Sequence, residues 1–193
     1  MQSRLFNIDT ILITKRLVLK RFRETDGEAF YQLVEANYEQ LYPHFTKMLN
    51  QVKDEESASI YVIKNIANWL LQEAYMFGIW ENSTARLVGM IRFFNLDWSL
   101  PKAEVGYFID KDFGGKGLMT EAMKMALDFA FNQLALERIS LRTSMENVAS
   151  QRLARKSGFL REGDLRNDHR RLSGELTDVM LFGLSRSEYM SHK

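Results

Sequence analysis

The glycine-rich stretch at residues 113–120 is the segment whose residue types most directly indicate chemistry. It reads Phe-Gly-Gly-Lys-Gly-Leu-Met-Thr, which places three glycines around Lys116 just before an amphipathic pattern. Glycine lets the backbone turn sharply and approach a ligand closely. The first amides of a following helix have no intrahelical partners, and the helix dipole adds positive charge there. The stretch therefore predicts an anion site for phosphate, to which Lys116 and the Thr120 hydroxyl would add contacts.

The spacing within this stretch excludes two familiar phosphate motifs. Lys116 is followed by Gly117, whereas a P-loop has Ser or Thr there. Thr120 stands where the dinucleotide-binding fingerprint has its third glycine. A turn that only connects a strand to a helix is the remaining alternative. The strand before the turn and the strong helix after it favour anion binding.

Glu104 is the residue best placed for proton transfer. It lies in a predicted strand over residues 103–109, where Glu104, Gly106 and Phe108 share one face and the alternate residues suit a core. A glycine inside a strand often marks the close approach of a ligand. Glu104 is therefore predicted to be a general base, and a solvated carboxylate is the alternative.

A second polar pair opens a short helix predicted over residues 147–157. Asn147 is a favourable N-cap, and Gly158 is a favourable residue just beyond the C-terminal end. Ser150 falls on the first turn of this helix, where it either takes part in capping or faces a ligand.

These residues are carried by a predicted mixed α/β (α+β) domain that spans residues 1–193. Strands are predicted at residues 12–20, 75–80, 87–94, 103–109, 138–143 and 177–184. Helices are predicted at residues 27–37, 57–73, 118–134 and 147–157. Residues 39–53 are predicted to be irregular or short-helical, and the basic stretch 164–174 to be a solvated loop. Screening of an acidic substrate tail is the alternative for this basic stretch.

The composition narrows the functional class further. The net charge of +1 predicts no direct binding to nucleic acid and no attraction to a membrane surface. The absence of Cys and the scattered placement of three histidines, expected at the surface, predict no metal site. No signal peptide or membrane-spanning run is recognisable, so a cytoplasmic location is expected. A monomer and a homodimer both stay open.

Three stretches together resemble the Gcn5-related N-acetyltransferases, and specifically the branch that contains the ribosomal-protein N-terminal acetyltransferases. They are TKRLVLKRFRETD at residues 14–26, AEVGYFIDKDFGGKGLMTEA at 103–122, and NVASQRLARKSGF at 147–159. Their order and spacing agree with the family, so the resemblance covers about residues 12–184.

The resemblance implies a mostly antiparallel, twisted sheet that splays beside the acetyl-coenzyme A site and is flanked by helices. It implies direct acetyl transfer to a primary amine, with Glu104 as base and Ser150 as the acid that protonates the thiolate. Pantetheine would run along the strand end at Tyr107 to Ile109, and the pyrophosphate would bind the turn amides. The implied cofactor-binding residues are Phe108, Ile109, Gly114, Gly115, Lys116, Gly117, Leu118, Met119, Thr120 and Asn147.

The sequence departs from the family pattern at three positions. Gly114 replaces Gln or Arg, Met119 replaces Gly or Ala, and Ala154 stands where many members have a Tyr acid. Because backbone amides bind the phosphates, we expect the site to survive the first two changes. The branch resemblance favours a protein N-terminal α-amine as acceptor. A small amine (an amino sugar, a polyamine or an antibiotic) is the alternative, and a non-catalytic acyl-coenzyme A-binding module is the rival from another class.

Overall fold

The structure, a computed structural model, describes residues 8–191. The strands are β1 Ile11–Ile13, β2 Leu17–Arg21, β3 Tyr75–Glu81, β4 Leu87–Asp97, β5 Lys102–Ile109, β6 Arg138–Ser144, β7 Leu160–Arg170 and β8 Leu176–Ser185. The helices are α1 Gly27–Ala36, α2 Tyr38–Leu41, α3 Thr46–Leu49, α4 Glu55–Leu70, α5 Leu118–Asp128, α6 Val148–Lys156 and α7 Arg186–Ser191.

The strands form one eight-stranded sheet in the order β1-β2-β3-β4-β5-β6-β8-β7. Neighbouring strands are antiparallel, with the exception of β5 and β6, which are parallel. Short connections join most of the antiparallel neighbours, whereas the parallel pair is joined through α5, as a parallel crossover requires. The mixed α/β fold class expected from the sequence is confirmed.

The sheet splays in its middle. The parallel pairing of β5 with β6 is confined to residues 102–104 against residues 138–140. Beyond Glu104, β5 continues to Ile109 along β4, while β6 continues to Ser144 along β8. The two halves of the sheet therefore separate directly after Glu104, and the edge of β5 that faces away from β4 opens. The predicted splay is present, and it begins directly after Glu104 rather than at the strand end, Tyr107 to Ile109, where the resemblance implied it.

Helices cover both faces of the sheet, as the alternation of the strands demands. On one face, Phe77, Phe93 and Val105 pack with α5 in a buried cluster. On the other face, Phe108 and Met76 pack with α1 and α4 in a second cluster. The predicted core residues Ala103 and Val105 lie in the first cluster, so the alternation argued for this strand is correct there.

Three sequence-based boundaries need correction. The strand predicted at residues 12–20 is two strands, β1 and β2, separated by a turn in which Thr14 Oγ1 accepts from Leu17 N at 2.9 Å. The helix predicted at residues 118–134 ends as α5 at Asp128 and continues as a π-helical turn, Phe129–Gln133.

The loop predicted at residues 164–174 is also wrong in part. Most of it belongs to β7, which forms an antiparallel hairpin with β8 at the edge of the sheet. Its side chains are largely exposed and polar, so no apolar alternation marks it as a strand. β7 is therefore defined by its backbone hydrogen bonds to β8 and not by a pattern of hydrophobic side chains.

Candidate active site

The glycine turn opens α5 with two residues in the left-handed region. Gly115 has φ +72° and Gly117, the N-cap of α5, has φ +74°. A side chain at these φ values is strained, which explains why glycine is needed at both positions. Residues 114–117 are exposed, so the amides at the start of α5 lie at an accessible surface. The turn thus has the shape and the exposure that an anion site requires.

The turn is held against the β1–β2 turn by a cluster that sequence reasoning missed. Glu121 accepts from Thr14 Oγ1 at 2.6 Å and pairs with Arg16 Nε at 2.7 Å. Arg16 also donates from Nη1 to the carbonyl of Lys116 at 2.9 Å. Burial favours a raised pKa for Glu121, but the hydrogen bonds from Thr14 and Arg16 outweigh it and lower the pKa. The first two of the three resembling stretches are therefore in direct contact.

Lys116 is turned back onto the loop that precedes it. Its Nζ donates to the carbonyl of Asp112 at 2.7 Å and lies 5.1 Å from the ring centre of Phe113. The cation thus helps to hold the shape of the turn. Its contact with a phosphate, like that of the half-buried Thr120, stays a prediction.

A cleft of about 1120 Å³ runs along the splayed part of the sheet. It brings together Glu104, Asn147 and Ser150, which are far apart in sequence. Residues of β4, β5, β6, β7 and α3 line it. The glycine turn lies outside the lining, so the phosphate-binding and proton-transfer regions predicted from the sequence are separate places on the molecule.

Glu104 sits at the point where β5 and β6 separate. Its side chain is 13% exposed and points into the cleft. Oε2 accepts from Asn95 Nδ2 at 3.3 Å and lies 3.7 Å from Nη1 of Arg142. Arg142 also lies 3.5 Å from the carboxylate of Asp168, so it is shared between two acids.

Burial raises the pKa of Glu104 above its usual range, and this effect outweighs the opposing influence of Arg142 and the hydrogen bond from Asn95. Asp168 adds to the increase, and Lys47 opposes it. A raised pKa makes the carboxylate a stronger base, which suits a group that must take a proton from an ammonium ion.

Ser150 is linked to a tyrosine that sequence reasoning assigned to the core. The Ser150 hydroxyl lies 2.9 Å from Tyr107 Oη, and its backbone N donates to Asn147 Oδ1 at 3.0 Å. Asn147 is therefore the N-cap of α6, as predicted. Burial raises the pKa of Tyr107 to about 12, so this phenol is protonated at neutral pH and can donate to the serine oxygen.

Other predicted site residues differ in how much side chain they expose. The Phe108 side chain is buried and packs edge-to-face on Phe45, with ring centres 5.5 Å apart, so only its backbone faces the splay. Ile109 is half-buried, and its carbonyl accepts from Gln40 Nε2 at 3.3 Å. Ala154 is fully buried in the core, so no hydroxyl acid stands at that position.

One wall of the cleft is closed by a histidine. His169 of β7 contacts the carbonyl of Pro43, with 3.1 Å between Nε2 and the oxygen, and thereby joins the sheet edge to the segment between α2 and α3. His44, on that segment, is half-buried, and burial lowers its pKa. The surface location expected for these two is therefore wrong, because both pack at the cleft wall. His192 lies outside the described residues.

The described residues bear on two properties expected from the composition, metal binding and membrane insertion. Residues 8–191 contain no group of three or more His, Asp or Glu side chains arranged to hold a metal ion. Within the same range, no helix has the length and apolar character needed to cross a membrane.

Comparison with known proteins identifies the family. Residues 16–160 match the acetyltransferase (GNAT) domain. The Bacillus subtilis protein named "Putative ribosomal N-acetyltransferase YdaF" is 30% identical over 186 residues, which cover 95% of this chain and 99% of the relative. The spermidine N(1)-acetyltransferase of Escherichia coli is 28% identical over 106 residues, covering 54% of this chain and 56% of the relative.

A solved structure shares the fold at low identity. The RimL ribosomal L7/L12 α-N-protein acetyltransferase in complex with coenzyme A superposes with a TM-score of 0.84 at 22% identity, over 92% of this chain and 98% of that one. Because the family match extends over most of the sequence and a relative aligns from end to end, the chain belongs to the GNAT acetyltransferases and is an acetyl-coenzyme A-dependent N-acetyltransferase.

Proposed function

We propose that this enzyme acetylates the N-terminal α-amine of a protein. The size and position of the cleft carry the proposal. Its volume of about 1120 Å³ is above the range of roughly 300–1,000 Å³ that small-molecule sites occupy, and Glu104 lies on its floor. An open trough of this size accommodates the end of a polypeptide together with the acetyl-bearing arm of the co-substrate. The full-length relative named as a ribosomal N-acetyltransferase supports the same acceptor class.

The proposed reaction is a direct attack within the ternary complex. Glu104 takes a proton from the acceptor ammonium, directly or through a water. The freed nitrogen attacks the thioester carbonyl, the new C–N bond forms, and the C–S bond breaks. The leaving thiolate takes a proton from Ser150, whose hydroxyl is in turn supported by Tyr107. The attacking nitrogen loses its second proton as the amide forms, and this proton restores the serine hydroxyl through solvent. Catalysis then consists of positioning and proton transfer.

The proposed co-substrate site follows from two features of the chain. The pyrophosphate binds the amides of residues 114–119 with Thr120, because the exposed glycines of residues 114–117 carry no side chains that would block its approach. The pantetheine arm lies along the open edge of β5 at Phe108 and Ile109, within reach of the Asn147 side-chain amide.

The charge of the cleft favours a protein terminus over a polyamine. Four cations line it (Lys47, Arg92, Arg142, Arg170) against three carboxylates (Glu73, Glu104, Asp168). A polyamine would meet more positive than negative charge there, which disfavours its binding. The spermidine-acetylating relative also aligns with only about half of the chain.

The test is an acceptor panel measured with purified enzyme. Lysine-free peptides with free N-termini, spermidine and an amino sugar are each incubated with acetyl-coenzyme A, and products are identified by mass spectrometry. We expect a single acetyl group on peptide α-amines. The matched control is the same peptide with a blocked N-terminus, which must stay unmodified. Turnover of the small amines with no peptide product would overturn the proposed acceptor and leave the acetyltransferase activity intact.

A further inference from the structure

Arg92 is a charged residue of the cleft to which the proposed mechanism gives no role. It lies on β4, is half-buried, and lines the cleft. Its Nε is buried without a hydrogen-bond partner. The guanidinium carbon sits 5.5 Å from the ring centre of Phe94, and no ion pair joins Arg92 to another residue within 8–191. Burying a cation without a counter-charge is unfavourable, so this arrangement suits a site completed by an anionic ligand.

The other cations of the cleft differ in how they are compensated. Arg142 is paired with Glu104 and Asp168. Arg170 donates to the carbonyl of Gly174 at 2.9 Å. Lys47, on α3, is exposed, has no ion pair with a described residue, and is close enough to Glu104 to lower its pKa. Among the four cations that line the cleft, Arg92 and Lys47 are therefore the two that are available to a ligand.

Strand register fixes the separation between Arg92 and the proposed base. Glu104 is directly opposite Phe94, and Arg92 is two residues further along β4 on the same face, opposite Gly106. Diagonal neighbours of this kind lie about 7–8 Å apart. Two residues of extended peptide span about 7 Å. An amine at Glu104 therefore places the second or third residue of an extended acceptor beside Arg92, with the Phe94 ring between the two positions.

We propose that Arg92, assisted by Lys47, forms an anion subsite that binds a carboxylate two or so residues from the reacting amine. This inference rests on the proposed protein-N-terminus function and narrows it to acceptors with Asp or Glu at the second or third residue. A guanidinium binds a carboxylate through two parallel hydrogen bonds, which an amide of the same size cannot reproduce with the same strength.

The test compares peptide pairs that differ only by Asp or Asn at the third residue. For the unaltered enzyme, we expect kcat/KM to be roughly 10- to 100-fold higher for the Asp peptide, the range expected for a hydrogen-bonded charge. Arg92→Gln should reduce this ratio to near one while leaving the Asn peptide's turnover little changed. Arg92→Lys, which keeps the charge, should retain part of the preference. Lys64→Gln, on the exposed face of α4 and outside the cleft, is the matched control.

The outcomes separate this subsite from the proposed acceptor class. Equal turnover of Asp and Asn peptides by the unaltered enzyme overturns the subsite and leaves protein N-termini as acceptors. An Asp preference that survives in Arg92→Gln also overturns it. A third arm contains dipeptides and their C-terminal amides, because the carboxylate of a dipeptide lies two residues from its amine. Preference for the dipeptides, lost in Arg92→Gln and with no turnover of longer peptides, would retain the carboxylate subsite and refute the protein acceptor.

Discussion

The glycine turn and the floor of the cleft offer their ligands different parts of the chain. The turn presents backbone amides from consecutive residues, and its shape depends on the φ angles of Gly115 and Gly117. The cleft presents side chains that come from eight separate helices and strands, and its proposed chemistry depends on the charges around Glu104. Substitutions should therefore separate co-substrate binding from proton transfer. A substitution that restricts the backbone of the turn should alter co-substrate affinity, and one that changes the charge near Glu104 should alter turnover.

The largest expected effect is on turnover at Glu104. Glu104→Gln keeps the size of the side chain and removes its basicity, so turnover at neutral pH should fall by ~10²–10⁴-fold. High pH should restore part of the rate, because the amine then loses its proton to solvent. Acetyl-coenzyme A affinity, measured by calorimetry, should barely change. Wild-type turnover of this variant across the pH range would remove Glu104 from the mechanism.

The next effect is on affinity at the turn. Gly117→Val places a branched side chain at φ +74° and beside Arg16, so we expect acetyl-coenzyme A affinity to drop by about tenfold or more. Strain of roughly 1–3 kcal/mol should also lower the melting temperature. The control is Lys116→Ala. Because the Lys116 ammonium already donates to the Asp112 carbonyl, its loss should reduce acetyl-coenzyme A affinity less. A folded Gly117→Val protein with unchanged affinity would place the co-substrate elsewhere.

A smaller effect is expected where Tyr107 meets Ser150. Tyr107→Phe and Ser150→Ala each remove one side of their hydrogen bond and should lower turnover roughly 2- to 10-fold. If the two hydroxyls act as one unit, the double variant should cost little more than the single ones. A large fall in melting temperature with normal turnover would instead assign Ser150 to the structure of α6 alone.

The smallest effect concerns the pH profile. The proposed mechanism requires deprotonated Glu104, and burial raises the pKa of this carboxyl, so the rate should be lost at a higher pH than for an ordinary glutamate. Arg142 lowers this pKa, so Arg142→Met should move the acidic limb of kcat/KM to higher pH. Asp168 raises it, so Asp168→Asn should move the limb to lower pH. Shifts in the reverse directions would show that another group controls the limb.

The same contrast explains what the sequence could predict. The turn was predictable because glycines, helix start and strand end are neighbours in the chain. The face of β5 on which Glu104 lies is predictable from strand alternation, which is also a local property. Its partners Arg142 and Asp168 lie on β6 and β7 and meet it only after the sheet has formed. Arg16, which reaches Glu121 across 105 positions, has no local signal either.

Side-chain patterning also failed where the backbone alone defines structure. The edge strand β7 is mostly exposed on both faces, so it has no apolar period to recognise. Tyr107 was expected in the core because of its strand parity, and it is half-buried there. The splay also exposes its hydroxyl to Ser150. The alternation of side chains along a strand gives the face on which a residue lies in a continuous sheet. Where the sheet splays, a side chain can also reach into the gap between the strands, so alternation alone does not give its partners.

The short pairing between β5 and β6 has a thermodynamic consequence. Three register pairs connect these two strands across the middle of the sheet, at residues 102–104 and 138–140. A ligand lying in the gap would supply hydrogen-bonding partners to the part of β5 that no longer pairs with β6, and binding to the folded state alone stabilises it by mass action. Acetyl-coenzyme A should therefore slow amide hydrogen exchange in both residues 105–109 and residues 141–144. The co-substrate would then act as a missing strand that makes the two half-sheets open as one cooperative unit.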